Sequence, residues 1–252
     1  MKHENYEILN LFGYGLAKFD VSFVRDFGFK TKSSLYDYCV KLGIADTVGT
    51  VKNRQDLFDP FFNNDRKGWW QKGHTYLHRK IMIDGLFGDL NSIDYSNVVR
   101  FYIQEKFKLP IEHFEKISPL LKSKFSQLQN TGREAELFFI NNFQNISEFQ
   151  HGELEDARLL GDGYDFQIEV HGQFFLAEIK GLRSVSGKVR MTQKEFEKSV
   201  EYKETYFLVV ICNLDESPKI SCVADPVNSI SFKKNVSTST QTTYHSFEKK
   251  LG

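Results

Sequence analysis

The stretch GDGYDFQIEVHGQFFLAEIKG, Gly161 to Gly181, decides the fold. Two β-rich runs, Tyr164–Val170 and Gln173–Ile179, flank the dipeptide His171-Gly172, which can make a tight turn. That pattern predicts a β-hairpin. Side chains along a strand alternate between faces, so residues two apart share one. Glu178 and Lys180 therefore point one way, and Ala177 and Ile179 the other. A carboxylate and an ammonium side by side at the end of an apolar strand, just downstream of Asp165, need a chemical reason. Metal-assisted phosphodiester hydrolysis provides one. Two carboxylates hold a hard divalent cation through oxygen. The lysine orients or activates the attacking water and stabilises the charge that builds on phosphorus. Asp162 is an alternative first acid, but Gly161-Asp162-Gly163 reads as a turn. Asp165 lies in the strand.

The flanks of the hairpin read as helices and strands. Upstream, Thr131-Gly132-Arg133-Glu134-Ala135-Glu136 opens an amphipathic helix through Phe143. Ala135, Phe139 and Phe143 share one face at spacings of four. Glu136 falls on the flank of that face and leans toward the sheet, whereas Glu134 falls well away from it and is expected to face water. Downstream, Thr192 and Glu195 form a T-x-x-E capping box for a helix over Gln193–Glu204. Capping explains Glu195 better than chemistry does. Gln193, Phe196 and Val200 share a face of that helix, which would turn Gln193 toward the hairpin. Tyr206–Leu214 and Ile220–Ala224, split by Asp215–Pro218, read as two further strands.

The arrangement resembles the PD-(D/E)xK nuclease signature, with Asp165 as first acid and Glu178-Ile179-Lys180 as E-x-K. The order helix, strand, strand, helix, strand is that of the family's core. The wording G-R-x-A-E, G-Y-D, E-I-K-G and M-T-x-x-E is similar to one branch of it. That branch is the domain at the C-terminus of the plant NO VEIN protein, also found in many bacterial restriction and defence proteins. The resemblance spans roughly Gln129 to Asp225. Tyr164 stands where the signature has proline, Ile179 where the branch often has valine, and Leu182 where it has threonine. The resemblance implies an α/β fold, a restriction-endonuclease-like mixed sheet flanked by helices. It also implies a metal site of Asp165 and Glu178 with the Ile179 carbonyl as a third ligand. Mg²⁺ would be the cofactor, with Mn²⁺ as a substitute, and double-stranded DNA the substrate. Lys180 and Glu136 complete the expected catalytic set. The setting implied is restriction or antiviral defence. The alternative is a non-catalytic nucleic-acid-binding or regulatory module that kept the fold.

The remainder of the chain sets the context. Its 252 residues can hold two domains, and a boundary is expected between residues 127 and 128. A largely helical N-terminal domain, 1–127, would recognise DNA, and 128–252 would be the nuclease domain. Ser33 or Ser34 can cap a helix ended by Gly43, Ser96–Phe107 has helical periodicity, and another helix starts near Pro110 or Pro119. Net charge is zero, but residues 1–125 carry 19 Lys and Arg against 15 Asp and Glu, and residues 126–252 carry 14 against 18. Basic and aromatic residues gather at Arg66, Lys67, Trp69, Trp70, Lys72, Arg79 and Lys80, which suits phosphate contacts and base stacking. Arg183, Lys188 and Arg190 follow the E-x-K and suit phosphate contacts as well. His74 and His78 are four apart, but Thr75 stands where a zinc hydrolase needs glutamate. Cys39, Cys212 and Cys222 lack metal-ligand spacing, and Cys212 and Cys222, in apolar strand-like runs, read as buried thiols of a reducing compartment. With no signal peptide and no membrane-length apolar run, a cytoplasmic location is expected. There is no Gly-x-x-x-x-Gly-Lys-Ser/Thr motif, so a nucleotide-driven motor would need a partner chain. Cutting both strands with one centre per chain favours a homodimer.

Overall fold

The computed structural model describes residues 5–109, 118–236 and 242–244. Its first part is helical. The helices are α1 (Tyr6–Phe19), α2 (Val21–Asp26), α3 (Lys32–Lys41), α4 (Val48–Phe58), α5 (Leu77–Phe87), α6 (Ser92–Phe107) and α7 (Pro119–Leu128). The central one is α1, buried on every side from Ile8 to Ala17, with Asn10 the one polar side chain among them apart from the Tyr14 hydroxyl. Gly13 and Gly15 let its neighbours approach. A Cβ on Gly13 would lie 2.6 Å from the Arg54 carbonyl oxygen on α4, and one on Gly15 would lie 2.8 Å from the Phe23 ring on α2.

Short polar caps start most of the helices, because the first backbone N–H groups of a helix lack intrahelical partners. Thr31 caps α3, Thr47 α4, Asn91 α6, and Ser118 with Pro119 caps α7. The expected Ser33 or Ser34 cap is thus displaced to Thr31, with Ser34 answering it across the first turn. Gly43 follows α3 with φ of +74°, as expected for a glycine stop. The helix expected from Ser96 begins at Ser92, and of the two prolines offered as a next start, Pro119 opens α7. Pro110 lies outside the described residues, as does most of the polar, Ser/Thr-rich stretch from Asn235 to Ser246.

The second part is a mixed α/β unit. It runs α8 (Thr131–Asn142), β1 (Glu153–Asp156), β2 (Phe166–Val170), β3 (Gln173–Gly181), α9 (Gln193–Tyr202), β4 (Tyr206–Cys212), β5 (Lys219–Ala224) and α10 (Pro226–Ser229). The five strands lie in sequence order in one sheet. All neighbours are antiparallel except β3 and β4, which are parallel and joined through α9. The expected hairpin is β2–β3. His171 and Gly172 have φ of +51° and +82°, the twist that a two-residue hairpin turn needs. The strand β1 was not expected. Its sequence Glu-Leu-Glu-Asp shows no apolar alternation, and it is an exposed edge.

Buried apolar side chains fall in two clusters, one built between Ile8 and Leu128 and one between Ala135 and Leu214. In the second, Ala135 and Phe139 of α8 pack on Ala177 and Ile179 of β3 and on Phe207, Val209 and Ile211 of β4. The same alternation sends Glu178 and Lys180 to the opposite face. No described helix is long and apolar enough to cross a membrane. The three cysteines are unpaired. Cys39 is buried, and Cys212 and Cys222 are half-buried rather than buried as expected.

A buried polar knot joins the two parts. Glu134, expected in water, is 2% exposed. The side of α8 that turns away from the sheet packs on α5 instead of facing solvent. Glu134 accepts from Tyr6 Oη and from Arg183 Nη1 (2.7 Å), and His78 Nε2 lies 3.4 Å away. Arg79 donates to the carbonyl oxygens of Leu214 (2.7 Å) and Glu216 (3.0 Å). Burial pushes the Glu134 carboxyl up, but His78, Arg183 and Arg79 outweigh it and hold the group down at about 2. Its stabilisation is therefore complete above its ordinary value of 4.5 and is lost as pH falls toward about 2. Glu134→Ala removes the anion beside buried Arg79 and leaves half-buried Arg183 with Asp215 alone, and is expected to cost about 3–5 kcal/mol. The midpoint of urea unfolding measures this. A loss below about 1 kcal/mol would show that the knot behaves like an exposed ion pair.

Candidate functional site

Asp165 sits just before β2, where the hairpin sets it beside β3. Its backbone N–H donates to the Ala177 carbonyl (2.9 Å), and its Oδ2 accepts from the Ile179 N–H (2.8 Å). The Ala157 N–H donates to the Asp165 carbonyl (2.9 Å), which closes the loop between β1 and β2 at this residue. Glu178 is 5% exposed. Lys180 Nζ lies 2.5 Å from Glu178 Oε1 and 2.8 Å from Glu195 Oε2. Asp165, Glu178, Lys180, Glu136, Lys188 and Arg190 all line one open groove of about 400 Å³.

The electrostatics are those of carboxyls drawn out of water. Burial and then the Asp165 charge raise the Glu178 carboxyl to about 8, although Lys180 opposes them. Burial, with Glu136 adding to it, raises Asp165 to about 6 against the Ile179 hydrogen bond. Burial lowers the Lys180 ammonium, but Glu178 and Glu195 outweigh it and hold the group above its ordinary value. Lys180 thus stays a cation at neutral pH. Glu136 reaches the groove as expected, but its carboxylate pairs with Arg158 and lies 3.5 Å from Arg133.

The described residues hold no group of three or more His, Cys, Asp or Glu side chains suited to a metal ion. Zinc would need such a group. Mg²⁺ does not, since it is held through one or two carboxylates and keeps several waters. Asp165 and Glu178 are all-oxygen donors, both raised chiefly by burial, with the Ile179 backbone on the same groove. That donor set fits a hard divalent cation. Asp162, the alternative first acid, is half-buried and lies 3.5 Å from Lys194.

Several residues expected at a DNA surface are engaged elsewhere. Arg183 turns from the groove to Glu134 and Asp215, because a buried carboxylate needs its charge, and it lies over the Tyr6 ring at 4.6 Å. Arg79 is 2% exposed within the same knot. Arg66 is bound to Asp59 (2.9 Å) and the Leu16 carbonyl (3.1 Å). Trp69 packs on the first apolar cluster with its ring 6.3 Å from Tyr76. Lys80 pairs with Asp84 and lies over the Phe62 ring. Lys67, Trp70 and Lys72 remain exposed on and beside the single turn Trp70–Lys72, and Trp70 is 59% exposed. Lys188 and Arg190 are also exposed. His74 precedes α5 and is exposed, whereas His78 is buried edge-on against Phe138.

Two residues gained weight in the fold. Glu195 was read as a cap only, and the capping box is present, yet the same carboxylate binds Lys180. This orientation of α9 leaves Gln193 exposed and bonded to Glu197, not turned to the hairpin. Arg158, which ties Glu136, lies in a loop with no readable pattern. The T-x-x-E spacing flags Glu195, but nothing in the sequence says that Lys180 lies within its reach.

A mixed sheet carrying two acids and a lysine in a groove defines the class of site. A family model described as Protein NO VEIN, C-terminal, matches residues 135–223, which include Glu136, Asp165, Glu178, Lys180 and Glu195. No curated protein and no solved structure matches the chain.

The raised acids have a thermodynamic consequence. A carboxyl raised on folding binds its proton more tightly in the folded state, so its stabilisation is full below the unfolded value and is lost as pH rises. For Glu178 the window runs from 4.5 to about 8. Metal-free wild type is expected to lose melting temperature across this window relative to Glu178→Gln. Parallel melting curves for the two proteins would mean that Glu178 ionises freely in the folded state.

Proposed function

We propose that the chain is a Mg²⁺-dependent endonuclease that hydrolyses phosphodiester bonds of double-stranded DNA, serving restriction or phage defence. The observation that carries this reading is the convergence of Asp165, Glu178 and Lys180 on one open groove, with both acids raised and the lysine kept charged. Asp165 and Glu178 would hold the cation with the Ile179 carbonyl. When bound, Mg²⁺ would neutralise phosphate oxygen charge and make a coordinated water more acidic. Lys180 already carries its proton, so its part is to orient water and phosphate by hydrogen bonds and to stabilise developing negative charge. Water adds to phosphorus and gives up a proton to solvent, and the P–O bond to the sugar oxygen breaks as that oxygen takes a proton from solvent, leaving a phosphomonoester and a free hydroxyl.

Lys188 and Arg190 on the groove, and Lys67, Trp70 and Lys72 in the helical part, would contact DNA. Lysine and arginine neutralise phosphates, and an exposed indole stacks on bases. A homodimer would place one centre on each strand. The match to the NO VEIN C-terminal family model supports a nuclease-like domain.

Incubation of purified protein with methylated and unmethylated plasmid in Mg²⁺, followed by end-mapping, tests the activity. Glu178→Ala is expected to abolish cutting with an unchanged circular dichroism spectrum, and retained cutting would remove the assigned site. Lys180→Ala is expected to lower the rate by about 100-fold or more while weakening Mg²⁺ binding far less than Asp165→Ala does. Equal loss of metal binding in the two would make the lysine structural. Binding of DNA by wild type without Mg²⁺-dependent cutting would favour the non-catalytic module.

The DNA surface has its own test. Lys67→Ala, Trp70→Ala and Lys72→Ala together are expected to weaken duplex binding and flatten its salt dependence by about two ions. An unchanged affinity and slope would return these residues to an ordinary solvated surface.

A further inference from the structure

Lys180 is a long side chain with a carboxyl, that of Glu178, 2.5 Å from its Nζ on its own strand. Left to that pair alone, the ammonium would settle on the carboxylate expected to hold metal, and its charge would be spent there. A second anchor pulls from the far side. Glu195 Oε2 lies 2.8 Å from Lys180 Nζ, from the first turn of α9.

That anchor is itself fixed. Glu195 Oε2 also accepts from the Thr192 N–H (2.9 Å), and the Glu195 N–H donates to Thr192 Oγ1 (3.3 Å). This reciprocal pair locks the glutamate rotamer. The turn carrying it is docked as well. Lys194 Nζ donates to the Gly161 carbonyl (2.6 Å), and a Cβ on Gly163 would meet the Lys194 carbonyl oxygen at 2.8 Å. Tyr206 Oη donates to the Gly163 carbonyl (2.8 Å) from β4. The loop held in this way leads directly into Asp165. One helix turn therefore touches both the loop before the first acid and the lysine.

We infer that Glu195 is a positioning residue, which holds the Lys180 ammonium between two carboxylates so that it is directed into the groove and not collapsed onto Glu178. This rests on the nuclease reading for its effect on rate, but not for its effect on the lysine. A cap alone would not need the lysine contact, and the two roles separate by substitution. Glu195→Gln keeps an acceptor for the Thr192 N–H and loses the charge. Thr192→Ala removes the other half of the capping box and leaves the Glu195 carboxylate.

The experiment uses the full chain in three forms, wild type, Glu195→Gln and Thr192→Ala, with two readouts. The first is steady-state cutting over a series of DNA concentrations in saturating Mg²⁺. Glu195→Gln is expected to lower kcat about 10-fold or more with KM within about threefold, and Thr192→Ala to cost much less in kcat. The second is the side-chain ammonium resonance of Lys180 at low temperature, which is visible only while its protons exchange slowly. It is expected in wild type and Thr192→Ala and lost in Glu195→Gln. An ammonium resonance unchanged in Glu195→Gln would overturn the positioning role, as would equal kcat losses in the two variants. If wild type cuts nothing, the nuclease reading fails, and the resonance alone decides the role of Glu195.

Discussion

A single buried carboxylate organises this molecule. Glu134 lies at the start of α8, where the sheet-bearing part meets the helical part, and it cannot be hydrated there. A buried charge of this kind persists only if cations and hydrogen bonds surround it. Tyr6 comes from α1, His78 and Arg79 from α5, and Arg183 from the segment after β3. The Tyr6 ring lies beneath three guanidinium groups, those of Arg54, Arg79 and Arg183. Glu134 gathers groups from both parts, so the parts are held together by polar contacts as well as by apolar area.

The same constraint reaches the groove. Arg183 stands three residues after Lys180, and its tie to Glu134 fixes the direction in which the chain leaves β3. Gly181 closes the gap, because a Cβ there would lie 2.6 Å from the Thr131 carbonyl oxygen. The end of β3 is thus clamped against the first turn of α8 from one side and anchored through Lys180 to α9 from the other. Between the clamps, Asp165 and Glu178 are held in a low-dielectric setting that they resist, as their raised values show. A fold that keeps two such acids together stores unfavourable charge where a cation would relieve it.

Local physics made part of this legible in the sequence. The β2–β3 hairpin, the shared face of Glu178 and Lys180, the T-x-x-E cap of α9 and the apolar run of β4 each depend on residues close in the chain. What stayed hidden depends on contacts far along it. Glu134 shows a polar residue on the flank away from the sheet, and only the arrival of α5 makes that flank an interior. Arg183 and Arg79 look like surface cations until their buried partner is known. The strand β1 carries no alternation because it is an edge that leans on β2 for its pairing. Glu195 was half legible, since its spacing reveals the cap and not the lysine 15 positions earlier in the sequence.

Formal charge misleads for the same reason. The helical part carries a surplus of cations by count, yet Arg54 and Arg79 are buried and Arg66 is bound to Asp59 and Asp20. What a polyanion would meet is a smaller set, with Lys67 and Lys72 around the exposed Trp70 and with Lys188 and Arg190 on the groove. Counterion release scales with the phosphates actually neutralised and not with the net charge of a chain. A protein with zero formal charge can therefore hold a duplex through a few well-placed cations. On the proposed reading, its groove, which is lined by Glu136, Asp165 and Glu178 as well as by Lys180, Lys188 and Arg190, would accept phosphate more readily once divalent charge is added there. Affinity and metal dependence would then be two faces of one charge distribution.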